Sequence, residues 1–362
     1  MWQGETGVAG KGLRRGLIRR CQVTKDMTGR RIADLQDSTP VADAARRVIA
    51  LRLESVRDCL GRALRESENR RQNIHALRVA TRRATAAVDI FRECLPRRIH
   101  KEVRGHLRSI RRAVGAARDW DVILQRLSKA AKKADDADRP TYDMLHGYAL
   151  AHRIPAQHQL ELACPDYPFG FDRLQARTVA AVRWRQDPQP SLGSFSRPLI
   201  GRLIDGFNGL AERGDGDWEM LHEVRIAGKR LRYSLEVVED CFGPALEAQL
   251  TPALARLQEV LGGVNDSFNA SRLLRQIVDG MADCVPGVAD RYRDLMERQI
   301  EEHEERMRSG REHYRSWLEE WNGSEMQQAL LAVCPELSVR AGWNSPVTVP
   351  VPLDPATLGR TA

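Results

Sequence analysis

The 362-residue chain has no long apolar run, few aromatic residues and no closely spaced cysteine pair. No segment approaches the roughly 20 apolar residues that a membrane span requires, and residues 1–30 lack the apolar stretch of a signal peptide. Seven scattered cysteines without a Cys-x-x-Cys pair disfavour both a zinc knuckle and a disulfide framework. We therefore expect a cytoplasmic protein without a membrane partner.

The composition is that of a basic, folded protein. Lys and Arg number 57 against 49 Asp and Glu, which gives a net charge of +8, and 42% of the residues are hydrophobic. A net positive charge favours association with a polyanion but says nothing about the fold. The position of the charge along the chain must therefore indicate the ligand.

The pattern along the chain predicts a helical domain between two tails. Residues 1–38, with six glycines and several Arg pairs, are predicted to be a flexible basic tail, and Met27 is an alternative start. The predicted domain covers residues 39–327, with a first half at about 40–165 and a second half at about 190–325. Residues 338–362 are a Pro-rich tail.

Helical spacing of apolar residues dominates the predicted domain. Val48, Val56 and Leu60 illustrate this spacing, and no series of alternating strands occurs. A loop is predicted at Asp135–Pro140, and prolines at 155, 165, 168, 188, 190 and 198 indicate a broken middle region. The expected fold class is all-α.

A pattern of residues occurs twice in the chain, at an offset of 147 positions. Residues 74–91 align with residues 221–238, and the same offset reaches the second pair of motifs without a gap. Over residues 74–122, eight of 49 aligned pairs are identical, and half of these are polar or charged. The identical pairs are His75/His222, Arg78/Arg225, Ala80/Ala227, Arg83/Arg230, Cys94/Cys241, Leu107/Leu254, Gly115/Gly262 and Asp119/Asp266. Because a repeat kept only to fill a core would favour apolar identities, we expect a shared chemical surface.

Each copy predicts one helix with an apolar stripe beside a cationic stripe. At about 100° per residue, Leu221, Val224 and Leu231 share one side, while Arg225 and Lys229 lie on another. Like charges one turn apart repel by a few tenths of a kcal/mol per pair, and a bound polyanion would reverse that sign. The candidate binding residues are His75, Arg78, Arg82, Arg83, His222, Arg225, Lys229, Arg230 and Arg232.

The simplest alternative is that these cations form only the solvated face of an amphipathic helix. Recurrence in both copies argues against it. Residues 70–112 contain 13 Arg or Lys and three Asp or Glu, so this segment alone is more positive than the whole chain. Residues 221–275 contain seven basic and seven acidic residues.

His75 and His222 have two possible roles. Each could make a structural hydrogen bond within the protein, or donate a hydrogen bond to a phosphate oxygen.

Further residues accompany the two stripes. The weaker binding candidates, on the following helix, are Arg108, Arg111, Arg112 and Arg118. Asp119 and Asp266 are predicted to be structural, either capping a helix that begins near Val122 or orienting a basic side chain. Gly115 and Gly262 are predicted to allow a close approach or a bend.

At these residues the chain resembles the conserved histidine α-helical domain family, abbreviated CHAD. The family pattern is approximately His-x-x-Arg-(Val/Ile)-x-x-(Arg/Lys)-(Arg/Lys), followed by Leu-Gly-x-x-(Arg/Asn)-Asp, and it occurs twice. The copies here are HALRVATRR from His75 and HEVRIAGKR from His222, followed by VGAARD and LGGVND. The resemblance covers about residues 40–321. Thr85 stands where the second copy has Arg232, so we expect fewer contacts from the first copy in that turn.

The resemblance implies two pseudo-symmetric four-helix bundles with a basic groove or pore between them. It also implies inorganic polyphosphate as the ligand in that groove, and association with polyphosphate granules. Some relatives are fused to a triphosphate-tunnel enzyme domain, whose acidic β-barrel has no counterpart in this sequence. The expected function is non-catalytic polyphosphate binding, with no catalytic residue, metal or cofactor.

Two other function classes are alternatives. A metal-dependent polyphosphate hydrolase or phosphotransferase needs metal ions or an activated nucleophile, and the sequence has neither a Walker loop nor His-Glu-x-x-His. Non-specific nucleic-acid binding would rest on net charge and the Arg-rich tail. Because helix-turn-helix, RNP and zinc-finger signatures are missing and aromatic residues are only 6%, no specific nucleic-acid partner is expected.

Overall fold

The computed structural model describes residues 35–65, 69–214, 217–242, 244 and 246–334. The predictions for residues 1–34, which include Met27, and for the C-terminal tail lie outside these residues. The end of the predicted N-terminal tail packs on the helical fold. The Leu35 side chain is buried, and Asp37 accepts a hydrogen bond from the Arg197 guanidinium.

Ten α-helices contain most of the described residues, and none of these residues belongs to a β-strand. The helices are α1 (Val41–Arg65), α2 (Arg70–Ile90), α3 (Arg97–Ala131), α4 (Arg139–Leu162), α5 (Phe169–Ala180), α6 (Leu192–Ala211), α7 (Trp218–Val238), α8 (Thr251–Cys284), α9 (Pro286–Asn322) and α10 (Ser324–Val333). Short 3-10 helices at Arg92–Cys94 and Glu239–Cys241 follow α2 and α7, and a π-helical turn at Leu246–Leu250 precedes α8. The predicted all-α class is confirmed.

The internal repeat is visible in the positions of the helices. The helices α2 and α7 each have 21 residues, and the 3-10 helices that follow them start at Arg92 and Glu239, which are separated by the offset of the repeat. The starts of α4 at Arg139 and of α9 at Pro286 show the same offset. Corresponding residues therefore lie on corresponding helices. Their relation by pseudo-two-fold symmetry stays a prediction.

Two of the prolines that predicted a broken middle region lie inside helices instead. Pro155 is within α4 and Pro198 is within α6. An internal proline removes one backbone hydrogen bond, but both helices bury apolar side chains beyond it, including Leu160 and Ile204. Tertiary packing thus outweighs the local cost, and the irregular middle is shorter than predicted. The predicted loop Asp135–Pro140 separates α3 from α4, although its last two residues already belong to α4.

One set of contacting buried side chains extends through both halves of the fold. The helices α1 to α4 pack in succession, α6 to α9 do the same, and α2 contacts α7. In the second half the large aromatic residues are buried with their polar atoms satisfied: Trp321 Nε1 donates to Asn208 Oδ1 at 2.9 Å, and the Tyr314 hydroxyl donates to the Ala211 carbonyl at 2.7 Å. The core therefore fixes α2 and α7 side by side.

The contact between α2 and α7 includes a buried ion pair. Arg83 Nε lies 2.8 Å from Glu236 Oε2, and the two side chains are 13% and 4% exposed. Arg52 on α1 is buried near this pair, and burial, followed by the charge of Arg83, lowers its pKa to about 10. Because Glu236 faces two buried cations, its removal would take away a carboxylate that compensates their charge in the core.

Candidate functional site

A groove of about 4780 Å³ is lined by residues of α2, α3, α4, α6, α7, α8 and α9. Both repeat copies therefore contribute to its walls. Six of the principal binding candidates line it, namely Arg78, Arg82, His222, Arg225, Lys229 and Arg230. Two of the weaker candidates, Arg108 and Arg111, line it as well.

The remaining candidates lie outside the groove lining. These are His75, Arg83, Arg232, Arg112 and Arg118. Arg83 is engaged by Glu236, and Arg232 Nε lies 3.5 Å from the other oxygen of the same carboxylate. Arg83 and Arg232 therefore meet an acidic side chain of the protein at the junction of α2 and α7.

Four cations of the two repeat helices form what we call the central cluster: Arg78 and Arg82 on α2, and Arg225 and Lys229 on α7. Burial and then the charge of Arg78 lower the pKa of Arg82, and burial and then the charge of Arg82 lower the pKa of Arg225. Burial lowers the pKa of Lys229 to about 6, followed by the charges of Arg225, Arg82 and Arg78. Because all four residues line the groove and α2 contacts α7, the two cationic stripes lie close together.

The central cluster has little compensating charge. Asp266 and Asp119 raise the pKa of Arg225, but their effects are smaller than that of burial. Among the described residues, Arg225 Nε is buried without a hydrogen-bond partner. A buried donor without an acceptor costs about 1–3 kcal/mol, more when it is charged. An anion in the groove would offset the positive charge of the cluster.

The third wall of the groove is α3, which adds a stripe of arginines. Arg104, Arg108 and Arg111 recur at intervals of four and three residues, so they share one helix face. Burial, followed by the charges of Arg82 and Arg108, lowers the pKa of Arg111. The sequence interpretation missed Arg104, although its spacing from Arg108 and Arg111 could have indicated it. Arg104 Nε also donates to Asp89 Oδ1 at 2.9 Å.

The repeated aspartates orient basic side chains. Asp119 Oδ1 accepts from Arg78 at 2.9 Å, and Asp266 Oδ2 accepts from Arg126 at 2.8 Å. The alternative that Asp119 caps a helix near Val122 is wrong, because α3 continues through both residues. Arg126 on α3 and Asp266 on α8 also join opposite sides of the groove, a contact that local sequence patterns do not indicate.

The repeated glycines and histidines differ between the copies. The carbonyl of Gly115 accepts a 3.4 Å hydrogen bond from Arg78, but a Cβ on Gly115 would lie 3.8 Å from that side chain, which is an ordinary contact. A Cβ on Gly262 would meet nothing within 4 Å, so the predicted close approach is wrong for both glycines. His222 Nδ1 lies 2.8 Å from Asn265 Oδ1 and donates to it. A neutral His222 in this arrangement has no proton on Nε2, so it would donate to a phosphate from Nε2 only after protonation. Partial burial and nearby guanidiniums, first that of Arg118, lower the pKa of His75.

The structure also bears on a metal site, a membrane span and disulfide bonds. In the described part of the chain, no three His, Cys, Asp or Glu side chains are grouped so that they could hold a metal ion. None of the described helices has the length and apolar character to cross a bilayer. The six described cysteines are free thiols, of which Cys284 is exposed.

The fold and the basic groove define a helical protein with two copies of a cation-bearing helix. The CHAD domain family matches residues 47–275, more than half of the chain, and the protein belongs to this family. The match begins and ends inside the range of 40–321 that the sequence resemblance suggested. No curated protein matches the chain.

Solved structures share the fold. The crystal structure of the CHAD domain from the plant Ricinus communis is 23% identical, with a TM-score of 0.57; the similarity covers 77% of this chain and 93% of that one. PptA from Streptomyces chartreusis is 17% identical, with a TM-score of 0.61, over 81% of this chain and 99% of that one. At these identities the similarity concerns the fold, and the CHAD architecture extends over most of the present chain.

Proposed function

We propose that this protein binds inorganic polyphosphate in the groove and does not act on it chemically. The observation that carries the proposal is the central cluster, in which cations of both repeat helices lie close together and lower one another's pKa values. Placing such cations together destabilises the unliganded fold. A ligand with a dense row of negative charges would compensate that cost.

The chemistry of the lining suits a phosphate chain. Arginine presents a planar fork of donors to phosphate oxygens, and lysine adds a compact point charge. Polyphosphate carries about one negative charge per unit and has no base edges, so its recognition rests on ionic contacts and counterion release, as in backbone-only nucleic-acid binding. Membership of the CHAD family agrees with this ligand.

Charge reversal within the central cluster tests the proposal. We expect the double variant Arg78→Glu and Arg225→Glu to lose binding of long-chain polyphosphate, measured by retention of labelled polymer on a filter, while its circular dichroism stays helical. A matched control is Arg177→Glu with Arg256→Glu, which changes the net charge equally at exposed ion pairs outside the groove. If the cluster variant binds like the control, the groove is not the binding site.

The two alternative functions have direct tests. Competition between polyphosphate and duplex DNA at fixed salt separates polyphosphate binding from general polyanion binding, and we expect polyphosphate to displace DNA from the groove. Phosphate release from long-chain polyphosphate with added Mg²⁺ or Mn²⁺ tests catalysis, and we expect none above the rate without protein. Release that disappears in the cluster variant would instead identify a hydrolase or phosphotransferase.

A polyphosphate-binding protein concentrates where the polymer accumulates, so we also propose association with polyphosphate granules in the cytoplasm. A fluorescent fusion should colocalise with stained granules, and the same fusion with the cluster substitutions should be diffuse. Equal localisation of both fusions would mean that the groove does not direct the protein to granules.

A further inference from the structure

Lysine is rare in this basic chain. The sequence has 50 arginines and seven lysines, and Lys229 is the single lysine after position 133. The corresponding residue of the first copy is Arg82. Arginine keeps its proton in any protein environment, whereas a buried lysine readily loses its proton. The central cluster thus contains one cation that can be neutralised among three that cannot.

The surroundings of Lys229 disfavour its ammonium form. Lys229 lies one turn after Arg225 on α7, and both residues line the groove together with Arg78 and Arg82 of the contacting helix α2. Among the described residues, no carboxylate lies within ion-pair distance of the Lys229 ammonium group, and Asp266 on α8 is the acidic residue that acts on it. Asp119 on α3 is paired with Arg78, and α6 presents one residue of each sign to the groove, Arg202 and Asp205. Asp266 in turn is paired with Arg126. Burial and three guanidiniums therefore outweigh one shared carboxylate, and the pKa of Lys229 falls to about 6.

We propose that Lys229 is a neutral amine before ligand binds and takes up one proton from solvent together with the phosphate chain, so that binding is proton-linked. The inference rests on the proposed function and adds a regulation of the same groove by pH. The lone pair of the Lys229 nitrogen accepts the proton, and the phosphate charge then stabilises the ammonium among the guanidiniums. At pH 7.5 a group with a pKa of about 6 carries its proton in only about 3% of molecules.

Calorimetry on the full chain measures the linked proton directly. Long-chain polyphosphate is titrated at pH 8 in two buffers with different ionisation enthalpies, because a proton taken up on binding must come from the buffer. We expect an uptake of about one proton per occupied groove, and close to zero for Lys229→Arg, which retains the cation but does not titrate. Between pH 7 and 9 the affinity of the natural protein should fall about tenfold per pH unit, and that of Lys229→Arg should stay nearly constant.

The outcomes separate this inference from the proposed function. Tight binding without proton uptake, or equal uptake by Lys229→Arg, would overturn the role of Lys229 and leave polyphosphate binding in place. Absence of binding by the natural protein at every pH would overturn the proposed function itself. The variant Lys229→Gln, which lacks the cation in both states, should also take up no proton and should bind more weakly than Lys229→Arg.

A second measurement needs no ligand. The rate of acetylation by trace acetic anhydride depends on the fraction of each amine that is neutral, and mass spectrometry reads each lysine separately. The internal references are the exposed Lys101, Lys129, Lys132 and Lys133. We expect the Lys229 rate to level off above about pH 7 while the reference rates keep rising. A Lys229 rate that rises with the references up to pH 9 would contradict the proposal.

Discussion

The two arginines that the repeat aligns, Arg78 and Arg225, should contribute unequally to binding. Arg78 donates to Asp119 at 2.9 Å, whereas no carboxylate among the described residues forms an ion pair with Arg225. Polyphosphate must therefore compete with Asp119 for Arg78 but has no such competitor at Arg225. The substitutions Arg225→Gln and Arg78→Gln isolate this difference.

The expected magnitudes follow from hydrogen bonds to charged groups, which contribute about 1.5–3 kcal/mol each. Arg225→Gln should lose the whole of such a hydrogen bond, about 1.5–3 kcal/mol, which weakens binding about 10- to 150-fold. Arg78→Gln should lose about 0.5–2 kcal/mol, or roughly 2- to 30-fold, because its ion pair with a largely exposed Asp119 offsets about 1 kcal/mol of the contact with phosphate. Each substitution should also reduce the salt dependence by about one charge.

The assay is a fluorescence titration with polyphosphate of defined length at four salt concentrations. Arg177→Gln is the matched control, since Arg177 pairs with Glu102 outside the groove, and its affinity should stay within about twofold. The reasoning is refuted if Arg78→Gln loses more affinity than Arg225→Gln, or if neither substitution changes the salt slope relative to the control.

Further predictions concern stability. Glu236→Gln should cost about 3–5 kcal/mol in urea unfolding, because it breaks the buried ion pair with Arg83 and removes a negative charge next to Arg52. Folded molecules should keep their affinity, and a cost under about 1 kcal/mol would contradict this role of Glu236. Lys229→Met should flatten the pH dependence of thermal unfolding between pH 6 and 10. In the natural protein the unfolded chain binds one more proton than the folded chain in this range, so the free energy of unfolding should rise with pH by on the order of 1 kcal/mol after screening. The same pH dependence in the natural protein and in Lys229→Met would refute this prediction. Burial lowers the pKa of His303 to about 4, so His303 should contribute stability above pH 6.5 that is lost as the pH falls towards 4. His303→Gln should remove up to about 3 kcal/mol of this pH-dependent change in stability. A variant as sensitive to acid as the natural protein would contradict the prediction.

Local periodicity and the repeat predicted the helical class and eight of the basic residues that line the groove, because both depend on spacing within one helix. The role of Arg83 shows the limit of this reasoning. It is a predicted binding residue, yet its partner Glu236 is 153 positions away. Spacing within one helix does not reveal which acidic residue of another helix will face it.

Other differences have similar physical causes. Pro155 and Pro198 signal a break locally, but the buried faces of α4 and α6 outweigh the lost backbone hydrogen bonds. The contact between Arg126 and Asp266 joins α3 to α8, so spacing within one helix does not indicate it. Arg104 could have been found, since it continues the stripe of α3 by one turn.

The most direct test of the account is a crystal structure of the full chain with bound long-chain polyphosphate. We predict phosphate oxygens within hydrogen-bond distance of Arg78 or Arg82 on α2 and, on the same chain of phosphates, of Arg225 or Lys229 on α7. Polyphosphate bound on an outer face, or in contact with one repeat helix alone, would contradict the claim that the two copies form a single binding groove.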